Sequence, residues 1–299
     1  MTRIAVVGAT SGPGAALYLR LLEEGRDVIG IGRSPEHLER LKRAAPQPER
    51  AVLRRADLGS TEAIRAAVAD CTIIVDCADP HYVPQLLAAL PETAERFVTL
   101  SSTRYAGRRG EDVRRAEAAA LAHVVPTTVL HSALIYGGWN DNTVTRIWRL
   151  VRLMPIVPLP EGGRALVQPI FVDDVVACLV AAIDRREPLN RAIVLAGRTP
   201  LSYADFVRAC ARAIGRRAVI APLPLSMILG LSSLTRRLSV LPRIAEDEVR
   251  RLTENKDADI GDMIRVLGVT PRPLDVALRT LVARRKEKAP RSPDRGALA

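Results

Sequence analysis

Residues 3–33, RIAVVGATSGPGAALYLRLLEEGRDVIGIGR, decide the fold of this chain. They begin with the continuous apolar run Ile4–Val7, which is typical of a strand buried on both faces of a sheet. A glycine-rich turn follows, then leucines at helical spacing, and then a second apolar run from Val28 to Ile31. This order of elements predicts one βαβ unit with the right-handed crossover that nearly all such units have.

The glycine turn, GATSGPG at residues 8–14, has the spacing of a dinucleotide-binding loop. Gly8 permits a tight turn off the strand, Gly12 removes a side chain where the backbone must approach a pyrophosphate, and Gly14 lets the helix pack closely on the sheet. Free N–H groups at the start of the helix attract phosphate. We interpret the loop as a dinucleotide site rather than a structural turn, held by Gly8, Thr10, Ser11, Gly12, Pro13 and Gly14.

The end of the second strand predicts which coenzyme is preferred. A carboxylate at this position would bond the ribose 2′-OH of NAD, whereas an arginine accommodates the 2′-phosphate of NADP. Here the strand ends in Gly32-Arg33-Ser34, with no acidic residue before Glu36. We therefore expect NADP(H) to be favoured over NAD(H). The alternative is a solvated Arg33 that opens the next helix while NAD binds loosely.

The rest of the chain continues the alternation of apolar strands and short helices. Apolar runs at residues 51–55, 72–76, 96–100, 127–130 and 192–195 predict further strands. The alternation predicts an α/β fold with a doubly wound parallel sheet of the Rossmann type. Ligands bind at the carboxyl ends of the strands in such sheets. Further coenzyme-binding candidates at those ends are Asp57, Leu58, Cys77, Ala78 and Ser101.

The chain divides into a dinucleotide-binding core and a smaller lobe. We assign residues 1–139 with 165–196 to the core, and 140–164 with 197–284 to a smaller, mostly helical C-terminal lobe for a substrate or partner. The tail 285–299 is charged, contains proline and lacks periodicity, which predicts disorder. The apolar stretch 222–241 either roofs the substrate pocket or rests on a membrane interface or a partner.

The composition argues against several classes of protein. The 299 residues carry a formal net charge of +11, but the basic residues lack interleaved aromatic side chains, so we expect no nucleic-acid partner. The four cysteines lie in apolar surroundings without a CxxC pair, which favours reduced, buried thiols in a cytoplasmic protein. The four histidines have no metal-ligand spacing, so no metal is expected. We also expect no transmembrane helix and no signal peptide.

Together the motifs resemble those of the short-chain dehydrogenase/reductase superfamily, in its extended or atypical branch of NAD-dependent epimerase/dehydratase proteins. The matching pieces run along nearly the whole chain: GATSGPG, Asp57-Leu58, FVTLSST at 97–103, TTVLHSALIYGG at 127–138 and QPIFVDDVVACLVAAI at 168–183. The resemblance implies that Thr103 hydrogen-bonds a substrate carbonyl. It also implies a tyrosine that acts as general acid and base, and a lysine four residues later that lowers the pKa of that tyrosine.

The tyrosine and the lysine are where this sequence departs from the family. Aligning the helix at residues 110–122 places Glu111 at the tyrosine and Arg115 at the lysine. Arginine does not give up a proton, and an ordinary glutamate is too acidic to replace a phenol as donor at neutral pH. Tyr105 and Arg109 have the family's spacing but lie in a loop-like stretch. Tyr105 is therefore either a relocated proton donor or a packing residue.

Tyr136 and His131 lie in the segment that flanks the nicotinamide and the substrate in family members. Tyr136 either approaches the site from this side or caps the substrate lobe. We interpret His131 as a buried histidine whose hydrogen bonds are satisfied.

Two classes of function follow from these residues and from the resemblance. The first is an NADP(H)-dependent reductase or epimerase acting on a carbonyl or hydroxyl of a nucleotide-linked or similar sugar-type small molecule, with a degenerate Tyr-Lys pair. The second is a catalytically silent NADPH-binding accessory or assembly protein, because similar atypical members serve respiratory complex I and quinone metabolism. An NADPH-sensing regulator is a third reading. We expect a cytoplasmic protein, with 222–241 as a possible contact to the inner face of a membrane, and a homodimer.

Overall fold

The structure is a computed structural model, and it describes residues 2–102, 107–139, 143–154, 156–187, 189–224 and 257–288. Its strands are β1 (Ile4–Val7), β2 (Val28–Gly32), β3 (Val52–Arg55), β4 (Ile73–Asp76), β5 (Arg96–Ser102), β6 (Thr127–Ser132), β7 (Ile135–Tyr136), β8 (Ile156–Pro160), β9 (Leu166–Val167), β10 (Ile170–Phe171), β11 (Ala192–Leu195), β12 (Leu201–Ser202) and β13 (Val219–Leu223). Its helices are α1 (Gly12–Glu23), α2 (Pro35–Ala44), α3 (Thr61–Val68), α4 (Val83–Ala89), α5 (Gly107–Leu121), α6 (Thr143–Leu153), α7 (Val172–Asp184), α8 (Tyr203–Ala213), α9 (Gly261–Leu267) and α10 (Leu274–Lys288).

One seven-stranded parallel sheet forms the centre of the molecule, in the order β11-β6-β5-β4-β1-β2-β3. In its middle, Ile4 of β1 is paired with Val28 of β2 on one side and with Ile73 of β4 on the other. From β1 the chain first adds β2 and β3 on one side, and then crosses back to add β4, β5, β6 and β11 on the other side. This is the doubly wound arrangement. The fold class predicted from the alternating apolar runs is therefore confirmed.

Helices cover both faces of this sheet. On one face, α1 and α7 pack against the strands through buried residues such as Leu17, Leu21 and Leu179. On the other face lie α3, α4 and α5, with Ile64 and Leu86 among their buried side chains. Because both faces are covered, β1 and β2 are apolar along their whole length and do not alternate with polar residues.

The smaller lobe has its own apolar core, built by α6, α8 and α10 with short two-stranded sheets. Its buried side chains include Trp148, Phe206 and Leu278. The indole N–H of Trp148 donates to the carbonyl oxygen of Cys210 at 2.8 Å, which fixes α6 against α8. The prediction of a mostly helical lobe fits these described residues.

The C-terminal helix is longer than the sequence predicts. We expect disorder from residue 285, but α10 continues to Lys288, because its last turn is tied back to the lobe. Arg285 donates to the hydroxyl of Thr145 and lies over the ring of Trp148, with its guanidinium carbon 4.9 Å from the ring centroid. Residues 289–299 and nearly all of the predicted 222–241 stretch lie outside the described residues.

The four cysteines are buried and free of disulfide bonds, in agreement with the sequence. Within the described ranges, no three histidine, cysteine or acidic side chains converge in a way that could hold a metal ion. Over the same ranges, every helix is too short or too polar to cross a bilayer.

Arg96 connects the central sheet to the end of α7, and the residue is only 8% exposed to solvent. Its guanidinium donates to the carbonyl oxygens of Ala182, Ile183 and Arg185 at 2.6–2.8 Å, and so satisfies the carbonyls at the C-terminus of α7. Replacing Arg96 with methionine is expected to lower the free energy of unfolding by about 2 kcal/mol, because these carbonyls lose a charged donor while buried.

Chemical denaturation monitored by circular dichroism measures this loss. Arg65→Met is the matched control, because exposed Arg65 donates to one carbonyl oxygen, that of Ala88. Equal stability of the Arg96 and Arg65 variants would contradict the assigned role of Arg96.

Candidate functional site

The turn between β1 and α1 is built so tightly that two of its glycines are required by the protein itself. Gly8 has φ +73°, and a Cβ there would lie 2.8 Å from the backbone nitrogen of Ala78. A Cβ on Gly14 would lie 2.2 Å from the carbonyl oxygen of Gly8. Side chains at either position would therefore push the turn away from β4 and α1 away from the sheet.

Gly12 is different, because a Cβ there would make only ordinary van der Waals contacts with the protein. The nearest atom to a Cβ built there is the Cα of Gly138, at an ordinary contact distance of 3.7 Å. The protein's own packing therefore does not demand glycine at this position. A bound group that approaches the backbone would demand it, as the pyrophosphate of a dinucleotide does.

The start of α1 is shaped to hold an anion next to Gly12. Ser11 is the N-cap, and its hydroxyl oxygen accepts from the backbone N–H of Gly14 at 3.0 Å. Pro13 occupies the first turn of the helix, where its missing N–H costs nothing. The twelve-residue helix presents its positive dipole end to the same place.

Asp76 holds the opposite side of the turn in position. This carboxylate, at the end of β4, is fully buried. It accepts from the backbone N–H of Ala78 at 2.9 Å and from the hydroxyl of Thr99 at 3.0 Å. Burial raises the pKa of Asp76 to about 6, although the two hydrogen bonds oppose that rise. The carboxylate thereby fixes the Cys77–Ala78 segment against Gly8.

A cleft of about 220 Å³ opens at the carboxyl ends of β4, β5 and β6, beside the start of α1. It brings together four of the predicted coenzyme-binding residues, Pro13, Cys77, Ala78 and Ser101. Its remaining wall is part apolar and part hydroxyl, and is formed by Pro80, Leu100, Ser102, Ser132, Ala133 and Ile135. The cleft therefore extends from the start of α1 to a wall that contains three serine residues.

The remaining predicted coenzyme contacts lie at the ends of β2 and β3. Arg33 is exposed directly after β2, and among the described residues no carboxylate lies within ion-pair distance of it. The backbone N–H of Ala56 donates to the carbonyl oxygen of Gly32 at 3.1 Å, which places exposed Asp57 and half-buried Leu58 beside that strand end. Thr10 lies there too, since a Cβ on Gly32 would come within 3.0 Å of its methyl carbon.

The segment after β7 crosses the glycine turn, a contact that sequence reasoning missed. A Cβ on Gly138 would lie 3.1 Å from the Cα of Gly12, so the two backbones are in direct contact. The ring of Trp139 lies under the guanidinium of Arg40 of α2, 5.3 Å from ring centroid to guanidinium carbon. The sequence feature that could have indicated this contact is the aromatic Trp139 directly after the pair Gly137-Gly138.

The structure does not bring Glu111 and Arg115 into the cleft. Both are exposed on α5, and Arg115 lies 3.8 Å from the carboxylate of Asp112 on the same helix. The side of α5 that faces the sheet carries Val113, Ala116, Glu117 and Ala120 instead. Thr103 and Tyr105 lie outside the described residues.

Glu117, which the sequence analysis overlooked, connects α5 to two strands. Its carboxylate accepts from the hydroxyl of Ser101, and its other oxygen lies 3.1 Å from Nε2 of His131. Burial raises the pKa of Glu117, but the contacts with His131 and Ser101 outweigh burial and leave that pKa below its usual value. A single acid in an otherwise apolar helical stripe was the signal that could have identified it.

Removing the charge of Glu117 is expected to destabilise the protein in a pH-dependent way. The pKa of Glu117 is lower in the folded state than in the unfolded state, so the ionised carboxylate stabilises the fold. This contribution is fully present above the unfolded pKa and is lost as pH falls through the folded pKa. At pH 7, Glu117→Gln should lower the free energy of unfolding by about 1–2 kcal/mol. The difference from wild type should shrink below about pH 4.

Urea unfolding at several pH values tests this expectation. Glu111→Gln is the matched control, because Glu111 is exposed on the same helix and should change the stability by less than about 0.5 kcal/mol. An unchanged stability of Glu117→Gln at pH 7 would contradict the assigned network.

Tyr136 lies inside the smaller lobe and does not line the cleft. It is 2% exposed, with its ring centroid 5.5 Å from that of Phe171 and 6.0 Å from that of Phe206. Of the two sequence-based alternatives, the geometry fits the one in which Tyr136 packs the lobe. His131 is half-buried and in contact with Glu117, as described above.

Several known proteins are similar to this chain. An uncharacterized protein of Mycobacterium tuberculosis, Rv2047c, and its Mycobacterium bovis counterpart Mb2073c are each 27% identical over 190 residues, covering 60% of this chain and 20% of each relative. The matched stretch is thus about a fifth of the length of those curated relatives. No family model matches the chain.

Solved structures show the fold across almost the whole chain. A nucleoside-diphosphate-sugar epimerase of Staphylococcus aureus is 14% identical, with a TM-score of 0.69, over 93% of this chain and 100% of that one. UDP-glucuronic acid 4-epimerase of Bacillus cereus, bound to UDP-glucuronic acid and NAD, is 18% identical, with a TM-score of 0.71, over 96% and 99%. TunA, an NAD-dependent NDP-hexosamine 5,6-dehydratase of tunicamycin biosynthesis, is 16% identical, with a TM-score of 0.68, over 96% and 99%.

These likenesses confirm the fold that the sequence motifs predicted. The chain has the Rossmann-like α/β fold that the solved nucleotide-sugar epimerases and dehydratases also have. At these identities the comparison concerns the fold, and the chemistry must be argued from the residues of the cleft.

Proposed function

We propose that the chain is an NADP(H)-dependent reductase or epimerase that acts on a carbonyl or hydroxyl of a nucleotide-linked or similar sugar. The observation that carries this proposal is a cleft of about 220 Å³ at the carboxyl ends of the strands, directly beside the glycine turn and the start of α1. The known structures with this fold include a complex with NAD and UDP-glucuronic acid, which supports a nucleotide sugar as the substrate class.

The residues of the chain would hold the coenzyme and orient the substrate. The pyrophosphate would lie on the first turn of α1 and the adenosine end between Arg33 and Asp57. A bound nicotinamide would supply or accept a hydride at the cleft. The hydroxyl of Ser102 would orient a substrate oxygen, and Thr103 would polarise it as the family resemblance implies. Positioning would then contribute most of the rate.

Arg33 is expected to set the preference for NADP(H). Its guanidinium has no competing carboxylate among the described residues and can bond a 2′-phosphate through two N–H donors. Arg33→Ala should weaken NADPH binding about tenfold and leave NADH binding nearly unchanged. Fluorescence titration with both coenzymes measures this difference.

Arg43→Ala is the matched control for Arg33, because Arg43 is exposed on α2 and pairs with Glu39 at 3.3 Å. Equal affinities of the wild-type protein for NADPH and NADH would contradict the proposed preference, although the dinucleotide site itself would stand.

A second candidate function is favoured by one observation on α5. Its sheet-facing side has neither a tyrosine nor a lysine among the described residues, so the usual acid–base pair of the family has no counterpart there. A catalytically silent NADPH-binding accessory or assembly protein of a membrane-associated complex, related to complex I or quinone metabolism, needs no such pair. In that role the coenzyme would stabilise the fold by mass action.

A turnover assay separates the two candidates. NADPH-loaded protein is mixed with 4-keto nucleotide sugars, and the loss of NADPH absorbance is followed. The enzyme proposal predicts turnover that Thr103→Ala abolishes. Tight retention of NADPH without turnover across such substrates would support the accessory role. The cytoplasmic location, the contact through 222–241 and the homodimer stay predictions.

A further inference from the structure

One corner of the smaller lobe exposes three aliphatic side chains together, and we call these three residues the aliphatic corner. Leu153, the last residue of α6, is 62% exposed, while Ile156 and Val219 are 54% and 60% exposed. Ile156 and Val219 are paired across β8 and β13, and Leu153 lies three residues before Ile156. Three of the seven large hydrophobic side chains exposed in the described part of the chain thus gather here.

The chain that builds the aliphatic corner has no acidic residue. Residues 143–160 and 206–223 contain seven arginines and no aspartate or glutamate. Arg208 forms an ion pair with the carboxylate of Asp205 at 2.9 Å. Exposed arginines that have no carboxylate within ion-pair distance, among the described residues, are Arg149, Arg152, Arg212, Arg216 and Arg217. The two segments that build the corner therefore combine exposed aliphatic side chains with basic charges only.

The geometry of α6 places its arginines and Leu153 on the side of the helix that faces away from the core. Arg149, Arg152 and Leu153 fall within an arc of about 100° of the helix, at 100° per residue. The opposite side of α6 is buried in the core of the lobe through Val144, Ile147, Trp148 and Val151. The arginines and Leu153 are thus presented together, away from the protein interior.

We propose that the aliphatic corner and its five arginines form a docking surface for a membrane that contains anionic lipids. The guanidinium groups would lie among the phosphates, and the aliphatic side chains would enter the interface between acyl chains and headgroups. Long arginine side chains accommodate this arrangement, because their stems lie along apolar surroundings while their charged ends reach the phosphates. This inference does not depend on the proposed enzymatic function.

The chemistry favours a bilayer over the other anionic partners. Single-stranded nucleic acid needs exposed aromatic platforms, but Trp148 of α6 is 3% exposed and lies under Arg285. A peptide partner prefers a groove, whereas the three aliphatic side chains of the corner are each more than half exposed. A bilayer surface needs only exposed apolar side chains with basic side chains nearby.

Vesicle flotation with the full chain tests the proposal. The protein should float with vesicles of equal parts phosphatidylcholine and phosphatidylglycerol, and should not float with phosphatidylcholine alone. Binding should weaken as salt screens the arginines. The double variant Leu153→Glu with Val219→Glu should lower the partition coefficient at least about tenfold, because it removes apolar contact and adds repulsion. Arg216→Gln with Arg217→Gln should lower it to a similar degree.

Val52→Glu with Val124→Glu is the matched control, since these valines are 46% and 91% exposed outside the lobe. The control should bind vesicles like the wild type. All three double variants should keep the thermal unfolding of the wild-type protein. Vesicle binding that survives Leu153→Glu with Val219→Glu would overturn the proposal. So would equal binding to neutral vesicles, or binding of single-stranded RNA that competes fully with vesicles.

Discussion

Replacing Gly12 with alanine is expected to weaken NADPH binding about a hundredfold while changing the free energy of unfolding by less than about 0.5 kcal/mol. The reason is the contrast among the three glycines of the turn. The new Cβ would meet nothing closer than 3.7 Å in the protein, so the fold tolerates it. In the proposed complex the same Cβ would crowd the pyrophosphate on the first turn of α1. Calorimetric titration and urea unfolding of the same variant measure the two effects separately.

Two further variants distinguish a ligand effect from a folding effect. Gly14→Ala should destabilise the whole protein, since its Cβ would lie 2.2 Å from the carbonyl oxygen of Gly8. Gly25→Ala should cost about 1 kcal/mol of stability from strain at φ +72°, with no atom near its Cβ and NADPH affinity unchanged. Wild-type affinity in Gly12→Ala would show that the diphosphate is held elsewhere.

Asp76→Asn is expected to stabilise the protein at pH 7, whereas replacing a buried charged residue usually destabilises a protein. Burial raises the pKa of Asp76 to about 6, so keeping its carboxyl ionised at pH 7 costs free energy. An asparagine has the same shape and can accept from the N–H of Ala78 while donating to the hydroxyl of Thr99. A shift of about two pKa units corresponds to about 2–3 kcal/mol of stability.

The pH dependence has a defined sign. Between about pH 4 and pH 6 the unfolded carboxyl is ionised while the folded one keeps its proton, so the folded state binds more protons and stability falls as pH rises. The stability difference between Asp76→Asn and wild type should therefore grow over this range and level off above it. Urea unfolding from pH 4 to pH 8 measures the difference.

Asp57→Asn is the control for Asp76, because Asp57 is exposed and its carboxylate accepts from the backbone N–H of Gly59 at 3.0 Å. Its stability difference from wild type should stay nearly constant over the same range. An Asp76→Asn protein that is less stable than wild type at every pH would show that the native carboxylate is ionised and satisfied.

Most of the sheet was predictable because its determinants are local. Each strand of the core contains at least two adjacent apolar residues, and the glycine turn identifies how β1 joins α1. The pairing of β8 with β13 was not predictable, since Pro158, Pro160 and Pro222 make these segments resemble loops. Their pairing arises from contacts between distant parts of the lobe.

The glycine turn beside the cleft was predictable for the same reason, and the contacts of α5 were not. The glycine spacing identifies the turn within seven residues. The family alignment directs attention to Glu111 and Arg115, which are exposed, whereas helical periodicity places Glu117 on the buried face of α5. Its partners, Ser101 and His131, come from two other strands, and a sequence pattern does not show which elements meet.

Titration calorimetry of nucleotide-free protein with NADPH and NADH tests whether the glycine turn holds a dinucleotide. We expect one site per chain for both coenzymes, with tighter binding of NADPH. Absence of heat and of binding with either coenzyme would contradict the dinucleotide site and both proposed functions together.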